Sequence, residues 1–199
     1  MLEQWNERFS RPGYAYGKEP NAFFKEAIDK LTPGRMLLIG EGEGRNAVYA
    51  ATLGWQVDAF DFSQAAKNKA LELAEENKVQ INYTVQNLQE FSPSANYYDA
   101  AGIIFVHLEE ELRSRVNQKI ISSLKPGGRV IIEVFEKDQL AYNSGGPKDP
   151  ALLYSLEDIV SEFTDLDFQH LSKELIQLNE GEYHSGEAMV IRFIGLRTE

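Results

Sequence analysis

Gly40-Glu41-Gly42-Glu43-Gly44 and Asp61 are the residues of this chain whose types and spacing best suit ligand binding. Glycines at alternate positions let a backbone adopt positive φ and let a ligand approach with no Cβ in the way. Dinucleotide loops use the spacing G-x-G-x-x-G and seat a pyrophosphate on the N-terminus of the following helix. Here the spacing is G-x-G-x-G and the intervening residues are carboxylates. Two anions oppose a pyrophosphate but tolerate a phosphate-free ligand bearing a positive sulfonium and an amino group. Asp61 follows Gly40 by about 20 residues, the separation at which a carboxylate ending the second strand accepts hydrogen bonds from ribose hydroxyls. Either feature alone also fits an ordinary tight turn or a helix cap; their order along the chain favours a cationic nucleoside.

Candidates for proton transfer are few: His107, His184 and Tyr16. His107 precedes Leu108 and a helix start, where it serves either a reacting group or the end of its own strand. His184 lies in the polar stretch Asn179 to Glu187, which reads as a loop. His170, amid mixed strand residues, reads as structural. Glu133 interrupts an otherwise apolar strand; a buried carboxylate needs a partner, and this one is expected to point into the crevice at the strand's end. The chain has no cysteine, which removes thiolate nucleophiles and thiolate metal sites, and no metal site is expected.

The elements that must hold these residues follow from periodicity. Phe24, Ala27, Ile28 and Leu31 share a helical face that Pro33-Gly34 ends. Met36 to Ile39 and Val57 to Phe60 are short apolar runs, read as buried strands, with a helix between them on Ala47, Ala50 and Ala51 and a C-terminal Gly54. Ser63 caps a helix facing inward through Ala66, Ala70, Leu73 and Ala74. Strands Ile81 to Val85 and Ala100 to Val106 follow, then a helix with Leu112, Val116, Ile120, Ile121 and Leu124 inward. The turn Pro126-Gly127-Gly128 leads into a strand from Arg129 to Phe135. After a helix over Leu152 to Phe163, the runs Leu166 to Leu178 and Ala188 to Leu196 read as an antiparallel hairpin. The alternation predicts an α/β fold, doubly wound around a mostly parallel sheet. Met1 to Glu19 and Glu136 to Pro150 fit no element and are placed over the ligand crevice.

A length of 199 residues with 43% hydrophobic and 26% charged residues suits one domain, a core over 35–199 with residues 1–34 as cover and helix. Asp and Glu exceed Lys and Arg by 31 to 20, a net charge of -11 without a basic stripe, which argues against a nucleic-acid partner and for a small molecule. No apolar run reaches the length of a membrane span, and Met1 to Asn6 lacks a signal-peptide layout, so no membrane partner and a cytoplasmic location are expected.

Trp5-Asn6-Glu7-Arg8-Phe9, Tyr16-Gly17-Lys18-Glu19-Pro20-Asn21, Gly40-Glu41-Gly42-Glu43-Gly44-Arg45-Asn46, Asp61, Asn87-Leu88 and Leu124-Lys125-Pro126-Gly127-Gly128 together carry a family resemblance. On these residues the chain resembles the class I S-adenosylmethionine-dependent methyltransferases, and among them the tellurite-resistance and thiopurine-methyltransferase-like branch. The resemblance implies a seven-stranded sheet with an antiparallel last strand, S-adenosylmethionine as cofactor and S-adenosylhomocysteine as product. It implies that Gly40, Glu41 and Gly42, in the loop closed by Gly44 and Asn46, line the methionine moiety. Asp61 and Phe62 would hold ribose and adenine, Asn87 and Leu88 the adenine edge, and Val106 with His107 would border the sulfonium. The chain departs from the pattern at Leu38, where the family often has an acid, leaving Glu41 to meet the methionine amino group. It departs also at Asn87, commonly Asp, and at Ser185, commonly Arg in that branch after a hairpin His facing the acceptor. The implied acceptor is small: a thiol, a thiopurine-like molecule or a chalcogen oxyanion. Two rivals are a non-catalytic binder of the same cofactor and a nicotinamide oxidoreductase, the latter disfavoured by the glycine spacing.

Overall fold

The computed structural model describes residues 2–199, with side chains from Trp5 onward. Seven strands, β1 (Arg35–Ile39), β2 (Gln56–Asp61), β3 (Asn82–Val85), β4 (Tyr98–Ile104), β5 (Leu124–Phe135), β6 (Asp167–Glu180) and β7 (His184–Leu196), form one sheet. Their order is β3-β2-β1-β4-β5-β7-β6, the first five parallel and β7 antiparallel to both β5 and β6. This is the doubly wound, mostly parallel sheet with a C-terminal antiparallel hairpin that the periodicity predicts. Strand addition reverses between β1 and β4, and the crevice at that reversal is where open α/β sheets bind ligands.

Along β1 the side chains alternate between two cores. Met36 and Leu38 pack with Phe24 and Ile28 of α2 (Ala22–Ile28), Ala47 and Ala50 of α3 (Arg45–Thr52) and Ala70 of α4 (Gln64–Glu76). Leu37 and Ile39 pack on the other face with Val116 and Ile120 of α5 (Glu110–Ser123) and Ile159 of α6 (Leu156–Glu162). Helices α2, α4 and α6 begin where side chains satisfy their first backbone donors: Asn21 Oδ1 accepts from Phe24 N–H at 2.9 Å, Ser63 Oγ from Ala66 N–H at 3.2 Å, and Ser155 with Asp158 forms a capping box on α6.

Gly44 joins the loop after β1 to α3 at φ +87, and a Cβ there would stand 2.5 Å from the Cβ of Ala70 in α4. Both the left-handed backbone and the close helix approach require glycine. Gly44→Ala is expected to cost about 2–5 kcal/mol, from the strained φ and the overpacking together. Denaturant unfolding measures it, and a loss well under about 1 kcal/mol would show that α4 yields at Ala70.

Four local expectations are corrected. The N-terminal segment, of which Met1 lies outside the described residues, is helical over α1 (Leu2–Ser10). Trp5 and Phe9, one turn apart, stack at 5.6 Å and give that helix an apolar side. The turn Pro126-Gly127-Gly128 falls inside β5, as a bulge where the register against β4 jumps between Tyr98 and Ala100. The helix expected from Leu152 is shorter, starting at Leu156 behind the cap Ser155, because residues around Pro150 form a separate 3-10 turn. The polar stretch 179–187 is mostly strand: Glu180 pairs with His184 across a tight turn at 181–183, so His184 is a strand residue at the hairpin tip.

Candidate active site

The loop after β1 is built by left-handed glycines, Gly40 at φ +56 and Gly42 at φ +61, which turn the backbone toward the sheet's reversal point. Gly40 abuts Val106, whose Cγ2 would stand 2.9 Å from a Cβ at that position. Asp61 ends β2 beneath the loop, its carboxylate accepting from Gly42 N–H at 3.2 Å and Ser63 N–H at 2.9 Å. Burial pushes the Asp61 carboxyl up to about 6, against those backbone bonds. A buried acceptor beside bare glycine backbone fits the nucleoside read from the sequence.

The other loop acids serve the scaffold. Glu41 Oε1 accepts from Asn46 N–H and Ala47 N–H, both at 2.8 Å, so its carboxylate caps α3 and faces the helix. Burial drives the Glu41 carboxyl up to about 7. Glu43 accepts from Ala15 N–H at 2.7 Å and pairs with Lys69 at 2.7 Å, drawing the N-terminal segment down beside the loop. Asn46 Oδ1 accepts from Asn21 N–H at 2.9 Å and fixes the start of α2. Among the remaining expected contacts, Asn87 Oδ1 accepts from Gln89 N–H at 3.0 Å, capping a 3-10 turn, Leu88 packs against the core, and Phe62 is half-buried beside Asp61.

The two histidines differ sharply. His107 Nδ1 lies 2.9 Å from the Leu152 carbonyl and donates to it, while Nε2 accepts from Phe135 N–H at 3.4 Å. Both nitrogens are engaged with backbone, and burial pushes the ring down to about 4, leaving it neutral with no lone pair to offer. His184 Nδ1 lies 3.2 Å from Glu180 Oε2. A carboxylate only accepts, so Nδ1 carries the proton and Nε2 the lone pair. Among the described residues the one hydrogen bond of this ring is that through Nδ1. Burial lowers the His184 pKa, with Glu180 opposing, so the ring is neutral near pH 7.

Around His184 stand Tyr16 at 4.5 Å, Phe105 at 4.6 Å and Phe135 at 5.3 Å between ring centroids. Phe105 adopts φ +53, an uncommon backbone for an aromatic residue, with its N–H bonded to the Glu133 carbonyl at 2.7 Å. Strain of that kind concentrates at ligand sites. The segment 136–150 works as a buttress: Gln139 bonds Met189 N–H and Ser144 Oγ, Ser144 bonds the Glu187 carbonyl, and Gly145 is thereby held against the His184 ring.

Behind His184 an ionic chain ties the parts together. Glu180 accepts from Arg45 Nη2 at 2.8 Å and from Asn21 Nδ2 at 3.0 Å. Burial would raise the Glu180 carboxyl, but the bond from His184 and the Arg45 guanidinium outweigh it and hold it at about 2. Asn21 also donates to Glu133 Oε1 at 2.6 Å, and Glu133 Oε2 receives Arg192 Nε at 2.5 Å. The acid expected to face the crevice is thus neutralised inside the sheet, next to a cavity of about 290 Å³ that it lines with Arg45 and Arg192. A larger cavity of about 540 Å³ lies along α5 and α6, away from the glycine loop, where Arg113 is bound by Glu162 and Asp158.

Sequence reading missed Glu180, Phe105 and Phe135, and it quoted Arg45 and Asn21 within motifs without giving either a role. The signal available for Glu180 was Gly181: a turn centred just beyond it sets Glu180 opposite His184.

Residues 36–128 match the profile of a family described as "Methyltransferase domain". Over 126 residues the chain is 29% identical to "Ubiquinone biosynthesis O-methyltransferase" of Rickettsia conorii (strain ATCC VR-613 / Malish 7), covering 62% of this chain and 43% of that protein. Over 131 residues it is 32% identical to "N-terminal Xaa-Pro-Lys N-methyltransferase 1" of Danio rerio, covering 64% of this chain and 57% of that protein. The chain spans about half the length of these curated relatives. The solved structure of N-methyltransferase NodS from Bradyrhizobium japonicum WM9, in complex with S-adenosyl-L-homocysteine, superposes with a TM-score of 0.76 at 13% identity, covering 100% of this chain and 98% of that one. At such identity the likeness establishes the fold.

Proposed function

We propose that this chain, which carries a class I S-adenosylmethionine-dependent methyltransferase domain, transfers a methyl group to a small acceptor beside the hairpin tip, with His184 as general base. The observation that carries the reading is the His184 ring: neutral, fixed by Glu180 through Nδ1, and presenting an unbonded Nε2 within an aromatic box. When bound, S-adenosylmethionine supplies the electrophilic methyl on its sulfonium. Gly40, Gly42 and Asp61 would hold it, with Phe62, Asn87, Leu88 and Val106 around the nucleoside. His184 Nε2 takes the proton that the acceptor atom releases, and Glu180 stabilises the imidazolium that results. Tyr16, Phe105 and Phe135 exclude water and orient the acceptor, and such positioning contributes about 7–11 kcal/mol in well-aligned cases. His107, engaged on both nitrogens, has no part in this scheme.

A base of this kind suits an acceptor atom that must lose a proton. Of the acceptors favoured by the resemblance to the tellurite-resistance and thiopurine-methyltransferase-like branch, a thiol or thiopurine-like molecule fits His184 better than an oxyanion already ionised. The reading treats residues 1–199 as one catalytic unit acting on a small molecule in the cytoplasm. The net charge of -11 opposes a nucleic-acid partner, and among the described residues no helix is long and apolar enough to cross a membrane.

Ligands that bind only the folded state raise its apparent stability, by about 2.7 kcal/mol at a hundredfold excess over Kd. S-adenosylhomocysteine and S-adenosylmethionine should therefore raise Tm by roughly 5–10 °C, and NAD should leave it unchanged. A shift with NAD and none with either sulfur ligand would overturn the proposal. Binding without turnover on any acceptor would make the protein a binder of the cofactor instead.

A further inference from the structure

Arg8 is the one crevice arginine without a carboxylate among the described residues. Arg45 pairs with Glu180, Arg192 with Glu133 and Glu174, and Arg11 with Glu7. Arg8 instead lies against two rings, its guanidinium carbon 4.5 Å from the centroid of Trp5 and 4.3 Å from that of Tyr183. Stacking of this kind fixes a guanidinium by its faces and leaves the N–H edge for a ligand. Of the five N–H donors of the head group, one reaches Tyr16 Oη at 2.7 Å, and no described residue accepts from the other four. The Tyr16 hydroxyl accepts that bond, so its own proton is available, and burial keeps the phenol protonated by raising its pKa. One edge of the aromatic box therefore presents a planar cationic fork and an O–H donor side by side, in a protein whose net charge is -11.

Tyr16 joins this edge to the proposed base. Its hydroxyl meets Arg8 while its ring lies 4.5 Å from the His184 ring, so the one side chain contacts both groups. We propose that Arg8 and Tyr16 form the anion-binding end of the acceptor site, and that the acceptor is a flat aromatic molecule bearing a carboxylate remote from the atom methylated. The inference rests on the methyltransferase reading and narrows its acceptor. Planar, bidentate recognition of a carboxylate is what a fixed guanidinium does better than a lysine.

The test uses the full chain loaded with S-adenosylhomocysteine and two probes of one shape, benzoate and benzyl alcohol, followed by calorimetric titration. Native protein should bind benzoate roughly tenfold or more tightly than the alcohol, the preference expected for charge-assisted bonds over neutral ones. Arg8→Gln should bring the ratio close to one with unchanged affinity for S-adenosylhomocysteine, and Arg8→Lys should restore only part of it. A native ratio near one overturns the assignment. So does a preference that persists in Arg8→Gln, which would make Arg8 a clamp between α1 and the hairpin and nothing more. Failure of S-adenosylhomocysteine itself to bind is a separate result, and it overturns the methyltransferase reading together with the acceptor assigned here.

Discussion

Asp61→Ala is expected to lower the affinity for S-adenosylhomocysteine by about two to four orders of magnitude, through the loss of two hydrogen bonds to a charged group at about 1.5–3 kcal/mol each. The carboxylate already accepts from Gly42 N–H and Ser63 N–H, so removing it also frees two buried donors of the loop. Acidity separates the two effects. Burial sets the Asp61 carboxyl at about 6, above its ordinary value, so the folded, ligand-free protein holds a proton there that the unfolded chain releases earlier. The stability arising from that shift is present below the unfolded pKa and is lost as pH rises through about 6. Cofactor affinity runs the other way, since an ionised carboxylate is the stronger acceptor. Affinity of the native protein should climb between about pH 5 and 7, and Asp61→Ala should abolish the climb. Calorimetric titration across that interval decides it: an unchanged dissociation constant in the variant would reduce Asp61 to a turn-holding residue.

His184→Ala is expected to lower turnover by about 10²–10⁴ while leaving S-adenosylhomocysteine affinity nearly intact, because the ring lies at the hairpin tip and not on the glycine loop. The native rate should fall on the acid side as Nε2 gains a proton. Burial holds the His184 pKa below its ordinary 6.5, so that limb lies below about pH 6.5 and the rate is flat through the neutral range. Glu180→Gln removes the charge that fixes the ring's tautomer and should change the position of the limb as well as its height. It also leaves Arg45 without its ionic partner, and breaking a buried pair costs about 3–5 kcal/mol, so turnover is to be compared well below the variant's own Tm. Should His184→Ala keep native rates from about pH 5.5 to 8.5, no general base operates and catalysis rests on proximity and desolvation.

Much of the molecule is written in short stretches of sequence, for a physical reason. The change of period from two to 3.6 and the helix caps Asn21 and Ser63 arise between residues a few positions apart, and the placing of a glycine loop between strand and helix is equally local. The doubly wound, mostly parallel sheet followed from those elements by the ordinary rules of α/β connection, while the order β3-β2-β1-β4-β5-β7-β6 and the bond from Gly42 N–H to Asp61 came from the assembled sheet. Helix α1 was within reach, since Trp5 and Phe9 share a face, but so short a pattern is marginal until α4 covers it.

What the sequence by itself determined is therefore the doubly wound sheet, the glycine loop after β1 and the acid that ends β2. The tertiary structure decided which partner each polar side chain meets. Glu41 and Asn46, expected beside the ligand, bond the starts of α3 and α2. His107 and His184 are the same residue type near the same crevice, yet backbone groups occupy one on both nitrogens while Glu180 leaves the other an unbonded Nε2. That difference comes from partners 45 and 28 positions away for His107, and from a cross-strand register for His184. Burial and long-range pairing set the protonation and orientation of such groups, and neither has a signature in local spacing.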